Sequence, residues 1–283
     1  MTESGNTEAG DLEAFQAEVA WTALAAIGGH GFALAGAGAL IAHGLVDRLT
    51  QDLDLFSPLP GGAGQVTATL QQALLDAGFQ VTVDSTPTSV SGDFARLEVT
   101  RGDRSVQIDL GRDWRQHPPI ILAVGPVLAL DDAVGNKVGA MIGRGLPRDY
   151  LDVAAALRRY DRGQLLELGF RRDPGLRVVD VALAMRRLDQ IPDRQFAVYD
   201  LTPGQGAAAR AAFRHWPREP SRDVQGDRAH LQATQPLAPE PPLPHRCQPA
   251  SGSAHAWRGD PPPPPGPGPT GPTRPGPARG PRR

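Results

Sequence analysis

The sequence predicts an α+β fold: a mixed sheet built early in the chain, a helical C-terminal half, and a proline-rich tail without a core of its own. Three observations carry that expectation. Short β-rich or apolar-alternating runs fall between about residues 30 and 125, separated by helix-like stretches. From Asp131 to about Leu188, and again near Gly206 to His215, helical periodicity dominates. Past Trp216 the composition changes, since only 10 of the 29 prolines precede that residue and 19 follow it, among them the run Pro261 to Pro265.

The elements follow in order. Residues 1–10 read as a flexible polar lead, and an amphipathic helix spans about Leu12 to Ile27. Phe32-Ala-Leu-Ala35 is an apolar strand that runs into the small-residue turn Gly36-Ala-Gly-Ala-Leu40 and a short helix near Ala37 to His43. Thr50-Gln-Asp-Leu-Asp-Leu-Phe56 is the next strand, followed by a helix over about Gln65 to Ala77. Strands are then expected near Phe79 to Val83, Phe94 to Thr100 and Ser105 to Leu110. In the helical half, Asp131 or Asp132 can begin the first turn of the stretch that ends at Arg144, and Pro147 opens the next helix. One folded unit over 11–216 results, with its sheet at about 30–125 and its helical part at about 130–216, long enough to bury a core. Residues 217–283 are expected to be disordered with local polyproline II. A frameshifted end of a GC-rich gene would produce such a tail.

Composition excludes several classes of function. The formal net charge is −2, but Met1 to Trp216 carries 20 basic and 26 acidic residues, which is not the balance of a general polyanion binder. Any RNA contact would be local, for instance at Arg158, Arg159, Arg162, Arg171 and Arg172, which read equally as a solvated helical face. The sole cysteine, Cys247, excludes an intrachain disulfide, and no Cys/His zinc spacing occurs. Neither a Gly-x-Ser-x-Gly elbow nor a P-loop is present. The acidic start shows no signal peptide, and no apolar stretch reaches the ~20 residues that span a bilayer. A cytoplasmic protein without membrane association is expected.

The candidate chemistry lies in a few motifs. Asp52 and Asp54 are two apart on a strand and project to the same face, an arrangement suited to Mg²⁺ or Mn²⁺, hard cations that take carboxylate and phosphate oxygens. Free N–H groups of the turn at Gly36, Ala37 and Gly38 could hold a phosphate. A two-metal phosphoryl-transfer site wants a third carboxylate, and Asp109, at the polar face of Arg104-Ser-Val-Gln-Ile-Asp-Leu110, could supply it or merely form a turn. Lys137 is the only lysine among 29 basic residues. A compact ammonium meets phosphate as a point charge that arginine does not reproduce, so its retention suggests a chemical requirement. Arg144, seven residues on, shares its helix face. Asp149 fits a helix-dipole role, whereas Asp152, one turn deeper, could pair with Lys137 or Arg144. His43 is expected to cap or to pack.

The succession Leu34-Ala-Gly-Ala-Gly-Ala-Leu40, His43-Gly44, Arg48-Leu-Thr-Gln-Asp-Leu-Asp-Leu-Phe56, Val106-Gln-Ile-Asp109, Lys137 and Arg148-Asp-Tyr-Leu-Asp152 resembles the AbiEii/AbiGii nucleotidyltransferase toxin family, within the polymerase β-like nucleotidyltransferases, over about Phe15 to Trp216. The resemblance implies a nucleotidyltransferase-like fold whose helical half closes over a nucleoside triphosphate. By the same resemblance, Gly36, Ala37 and Gly38 would hold triphosphate together with Arg48, Thr50, Lys137 and Arg144. Asp52, Asp54 and Asp109 would hold the metal, Asp109 would be the candidate base, and Asp149 and Asp152 would support the site. It also implies transfer of a nucleoside monophosphate to RNA or another cellular hydroxyl, and a cognate antitoxin as partner. Two alternatives stand beside it: a catalytically weakened Mg–NTP-binding module, because Ala37 replaces the family's second glycine or serine, and an enzyme acting on a small-molecule alcohol. Arg148 stands where many relatives have lysine.

Overall fold

The computed structural model describes residues 3–48, 50, 52–84, 92–197 and 203–219. Helix α1 (Glu3–Ile27) begins earlier than Leu12. Next come β1 (Ala33–Leu34), α2 (Gly36–Ala42), β2 (Asp52–Ser57) and α3 (Gly62–Asp76). Then β3 (Gln80–Val83), β4 (Phe94–Arg101) and β5 (Arg104–Arg112) lead to a hairpin of β6 (Ile120–Leu122) and β7 (Gly125–Val127) that the sequence did not announce. Pro118, Pro119 and Pro126 argue against strands there; Pro118 and Pro119 immediately precede the edge strand β6, and Pro126 lies in β7, which meets its inner neighbour β1 only at Val127. The helical half comprises α4 (Leu130–Gly143), α5 (Pro147–Ala156), α6 (Arg162–Arg172), α7 (Val178–Gln190), α8 (Asp193–Ala197) and α9 (Pro203–Ala212).

The seven strands form one mixed sheet in the order β3-β4-β5-β2-β1-β7-β6. Strand β2 lies between β1, antiparallel to it, and β5, parallel to it. Alternation then separates two faces. Leu53 and Leu55 of β2, Leu97 and Val99 of β4, and Val106, Ile108 and Leu110 of β5 are buried in the core to which α1 and α3 contribute Val19, Ala23, Leu70 and Leu74. Each of these leucine, isoleucine and valine side chains contributes about 1.5–3 kcal/mol by leaving water. The opposite face presents Asp52, Asp54, Arg96, Gln107 and Asp109.

The helical half is fixed by its own core. Tyr150 of α5 is fully buried, donates its hydroxyl to Ala184 O of α7 at 2.7 Å, and meets Phe213 edge-on at 5.9 Å. Burial pushes its phenol up to about 12. Tyr150→Phe should cost about 1–2 kcal/mol by leaving that carbonyl without its donor, read as a lower urea midpoint; an unchanged midpoint would contradict it. Phe213 packs in turn on Trp216 at 5.1 Å, and Arg218 reaches Asp189 of α7 at 2.7 Å, so packing continues past Trp216. The rest of the tail, with Cys247, lies outside the described residues. Among the described residues no helix is long and apolar enough to cross a membrane.

Candidate active site

Strand register builds one wall of the site. Asp54 pairs with Asp109 across β2 and β5, and Asp52 pairs with Gln107, so the acids share a sheet face on adjacent strands. Arg96 of β4 is the cross-strand partner of Asp109 on its other side. Its guanidinium forks onto both carboxylate oxygens at 2.7 Å each, and Gln107 Nε2 adds a donor at 3.1 Å. Neither Arg96 nor Gln107 was singled out in the sequence. Thr50 is buried, its hydroxyl lies 3.0 Å from Asp52 O, and its carbonyl accepts from buried Gln16 of α1 at 2.8 Å. These bonds fix the entry into β2.

The turn before α2 abuts the acids. Gly36 has φ +56°, and a Cβ there would fall 1.7 Å from Asp54 Oδ2, so the carboxylate occupies the space that a side chain would need. Its N–H and those of Ala37 and Gly38 precede the first ladder bond of the helix, from Ala39 N–H to Ala35 O. Ala37 lines the cleft beside Gly36. Gly38 is buried and does not line it, and a Cβ on Gly38 would press on Leu34 at 2.9 Å, so close packing explains that glycine. His43 faces Leu128 O at 2.8 Å, in keeping with a packing role. Gly36→Ala should displace Asp54 and lower the melting temperature by several degrees, because an alanine at positive φ costs about 1–2 kcal/mol before any clash. A variant with wild-type melting and activity would contradict this placement.

Helices α4 and α5 build the facing wall. Asp152, fully buried, accepts Arg48 at 2.8 and 2.9 Å and Lys137 Nζ at 2.8 Å. Asp149, also fully buried, holds Arg144 through two bonds of 2.9 Å and caps Leu146 N–H at 3.1 Å. Of the two pairings open to Asp152, the structure therefore selects Lys137 and gives Arg144 to Asp149. Arg148 approaches Asp52 at 3.7 Å, and its Nε is a buried N–H with no partner among the described residues.

Between the walls lies a cleft of about 1080 Å³ lined by Gly36, Ala37, Arg48, Thr50, Asp52, Asp54, Asp109, Lys137, Arg144 and Arg148. Asp149 and Asp152 stand behind it as anchors. Its remaining lining includes Phe94 and a network in which Arg172 binds Asp113 and Asn136. Among the other arginines read as a basic helical face, Arg158 reaches Leu45 O and Arg171 pairs with Glu167, so much of that face is engaged within the fold.

Crowding sets the electrostatics. Burial first, then Asp52 and Asp109, push the Asp54 carboxyl up to about 6, against the opposing pull of Lys137 and Arg148. Asp54 makes no ion pair among the described residues, and no three His, Cys, Asp or Glu side chains among them stand close enough to hold a metal ion. Asp52 and Asp54 nevertheless fit a divalent cation. They are hard oxygen donors on one strand face, cradled by a glycine, and a cation would offset the burial and like-charge crowding that raise the Asp54 carboxyl. Asp109 fits only once Arg96 releases it.

A family model described as "Nucleotidyl transferase AbiEii toxin, Type IV TA system" matches residues 22–237. Among solved structures, MenT4, a nucleotidyltransferase toxin from Mycobacterium tuberculosis, is similar with a TM-score of 0.51 and 18% identity, over 80% of this chain and 92% of that one. JHP933 from Helicobacter pylori gives a TM-score of 0.46 and 14% identity, over 78% of this chain and 94% of that one. No curated protein matches the sequence. The fold is thus nucleotidyltransferase-like, and the family match runs beyond Trp216.

Proposed function

The chain belongs to the AbiEii nucleotidyltransferase toxin family, and from that premise we propose that it transfers a nucleoside monophosphate from a nucleoside triphosphate to an acceptor hydroxyl within this cleft. The observation that carries the proposal is a single cleft with three sheet carboxylates on one side and Arg48, Lys137, Arg144 and Arg148 on the other. Those cations complement a polyanion, and the volume accommodates a nucleotide.

In the proposed reaction the acceptor oxygen bonds to the α-phosphorus while the bond from that phosphorus to the β-bridging oxygen breaks. The electron pair leaves with pyrophosphate. Mg²⁺ or Mn²⁺ on Asp52 and Asp54, joined by Asp109, would neutralise charge and acidify the acceptor hydroxyl. Lys137 and Arg48, both tied to Asp152, face the developing charge of the leaving group without needing to reorganise. Arg144, held by Asp149, extends that surface, and the N–H groups at Gly36 and Ala37 offer donors to phosphate. Asp109 is the candidate to receive the acceptor's proton. Asp149 and Asp152 act as positioning residues.

RNA, for instance a tRNA 3′ end, is the acceptor we favour, with a cognate antitoxin restraining the activity in the cytoplasm. A second reading, transfer to a cationic small-molecule alcohol, is favoured by exposed Asp173 along the cleft. Incubating the protein with each labelled NTP, Mg²⁺ and total RNA separates the readings. Label in RNA that Asp54→Asn abolishes supports the first, and pyrophosphate release only with amino alcohols supports the second. Tight Mg–NTP binding without transfer to any acceptor would assign the weakened module that Ala37 suggests.

A further inference from the structure

One cation of the cleft is forked onto an acid that the metal would need, whereas Arg144, half exposed as well, spends its fork on Asp149 behind the cleft. Lys137 and Arg48 are held from behind by a carboxylate with no exposure, and their own side chains are only 9% and 11% exposed. Arg96 reaches in from the sheet, is 41% exposed, and spends both arms of its fork on Asp109, one of the acids the metal would need. A carboxylate whose two oxygens lie in a guanidinium fork cannot also ligate a divalent cation without bringing like charges together. The exposed partner of this pair is the arginine, so it can leave without disturbing the core. The guanidinium lies 5.5 Å from the Phe94 ring while it holds Asp109, so the ring shields one side of the fork and leaves the other toward the cleft. The fork that fits a carboxylate fits phosphate equally well.

We propose that Arg96 is an exchangeable counter-ion, bound to Asp109 when the cleft lacks metal and transferred to the triphosphate when metal takes Asp109. It is then a nucleotide-binding residue that antagonises metal binding in the absence of nucleotide. Metal and triphosphate consequently reinforce each other, because each removes the partner that competes with the other. The proposal rests on reading the cleft as a metal–nucleotide site.

The test uses the full chain with Mn²⁺ alone, followed by paramagnetic resonance, and with Mg²⁺ plus inorganic triphosphate, followed by calorimetry. Arg96→Gln should bind Mn²⁺ about tenfold more tightly than wild type and Mg²⁺–triphosphate about tenfold more weakly, the scale of one charge-assisted contact. Arg96→Lys, which keeps the charge without the fork, should recover part of the triphosphate affinity and retain the tighter Mn²⁺ binding. Opposite signs are required, since a structural role would weaken both ligands together. Wild-type binding with both affinities unchanged, or both lowered, in Arg96→Gln overturns the role of Arg96 alone. A wild type that binds neither probe overturns the site itself, and this inference with it.

Discussion

Asp54→Asn should yield a metal-free protein more stable than wild type at pH 8 and at least about a hundredfold slower in nucleotidyl transfer, the least expected for losing a group that holds the reacting charge. The gain in stability follows from burial and, after it, from the neighbouring carboxylates. The native carboxyl holds its proton up to about 6, against an ordinary value of 3.8. Native protein therefore binds the proton more tightly than unfolded chain, and stability falls as pH rises from about 4 through about 6. Above that window the ionised carboxylate costs up to about 3 kcal/mol, which the amide removes. Urea midpoints in chelator should favour the variant at pH 8 and converge with wild type near pH 4. A variant no more stable than wild type at pH 8 would contradict the crowded-acid description. Retained transfer would contradict the role of Asp54.

Asp152→Ala should be the most destabilising change in the site, by about 3–5 kcal/mol, because it leaves two buried cations without their carboxylate. Arg48 and Lys137 both depend on it. Asp149→Ala should cost less, about 1–2 kcal/mol, since the Arg144 it releases is already half exposed and can turn to water. The ordering is the informative result. If both substitutions cost the same, Asp152 is not the hub that places Lys137 and Arg48 in the cleft.

How much of this was legible in the sequence differs between local and non-local features. Asp52 and Asp54 could be placed on one face from strand alternation alone, and the glycine turn and solitary lysine announced themselves by composition. Their meeting in one cleft was indicated by the family resemblance, since no spacing rule joins β2 to α4. The role of Arg96 required a register. The two-residue turn Gly102-Asp103 supplied one: counting outward from it, with Arg101 opposite Arg104, sets Arg96 opposite Asp109. Gln16 carried no such signal, because a glutamine within an amphipathic helix does not reveal that it will reach the Thr50 carbonyl. The β6–β7 hairpin was hidden by its prolines. Gly38 carries two readings at once, because small residues serve close packing, here against Leu34, and phosphate approach alike.

The central claim is that the sheet acids and the lone lysine act on one bound triphosphate. It is tested most directly by a crystal of the full chain grown with Mn²⁺ and α,β-methylene nucleoside triphosphate, with anomalous scattering locating the metal. The account predicts manganese against Asp52 and Asp54, and phosphate oxygens within hydrogen-bond distance of Lys137 Nζ. Nucleotide bound outside the cleft, or phosphate at Lys137 with no manganese at those aspartates, would contradict it.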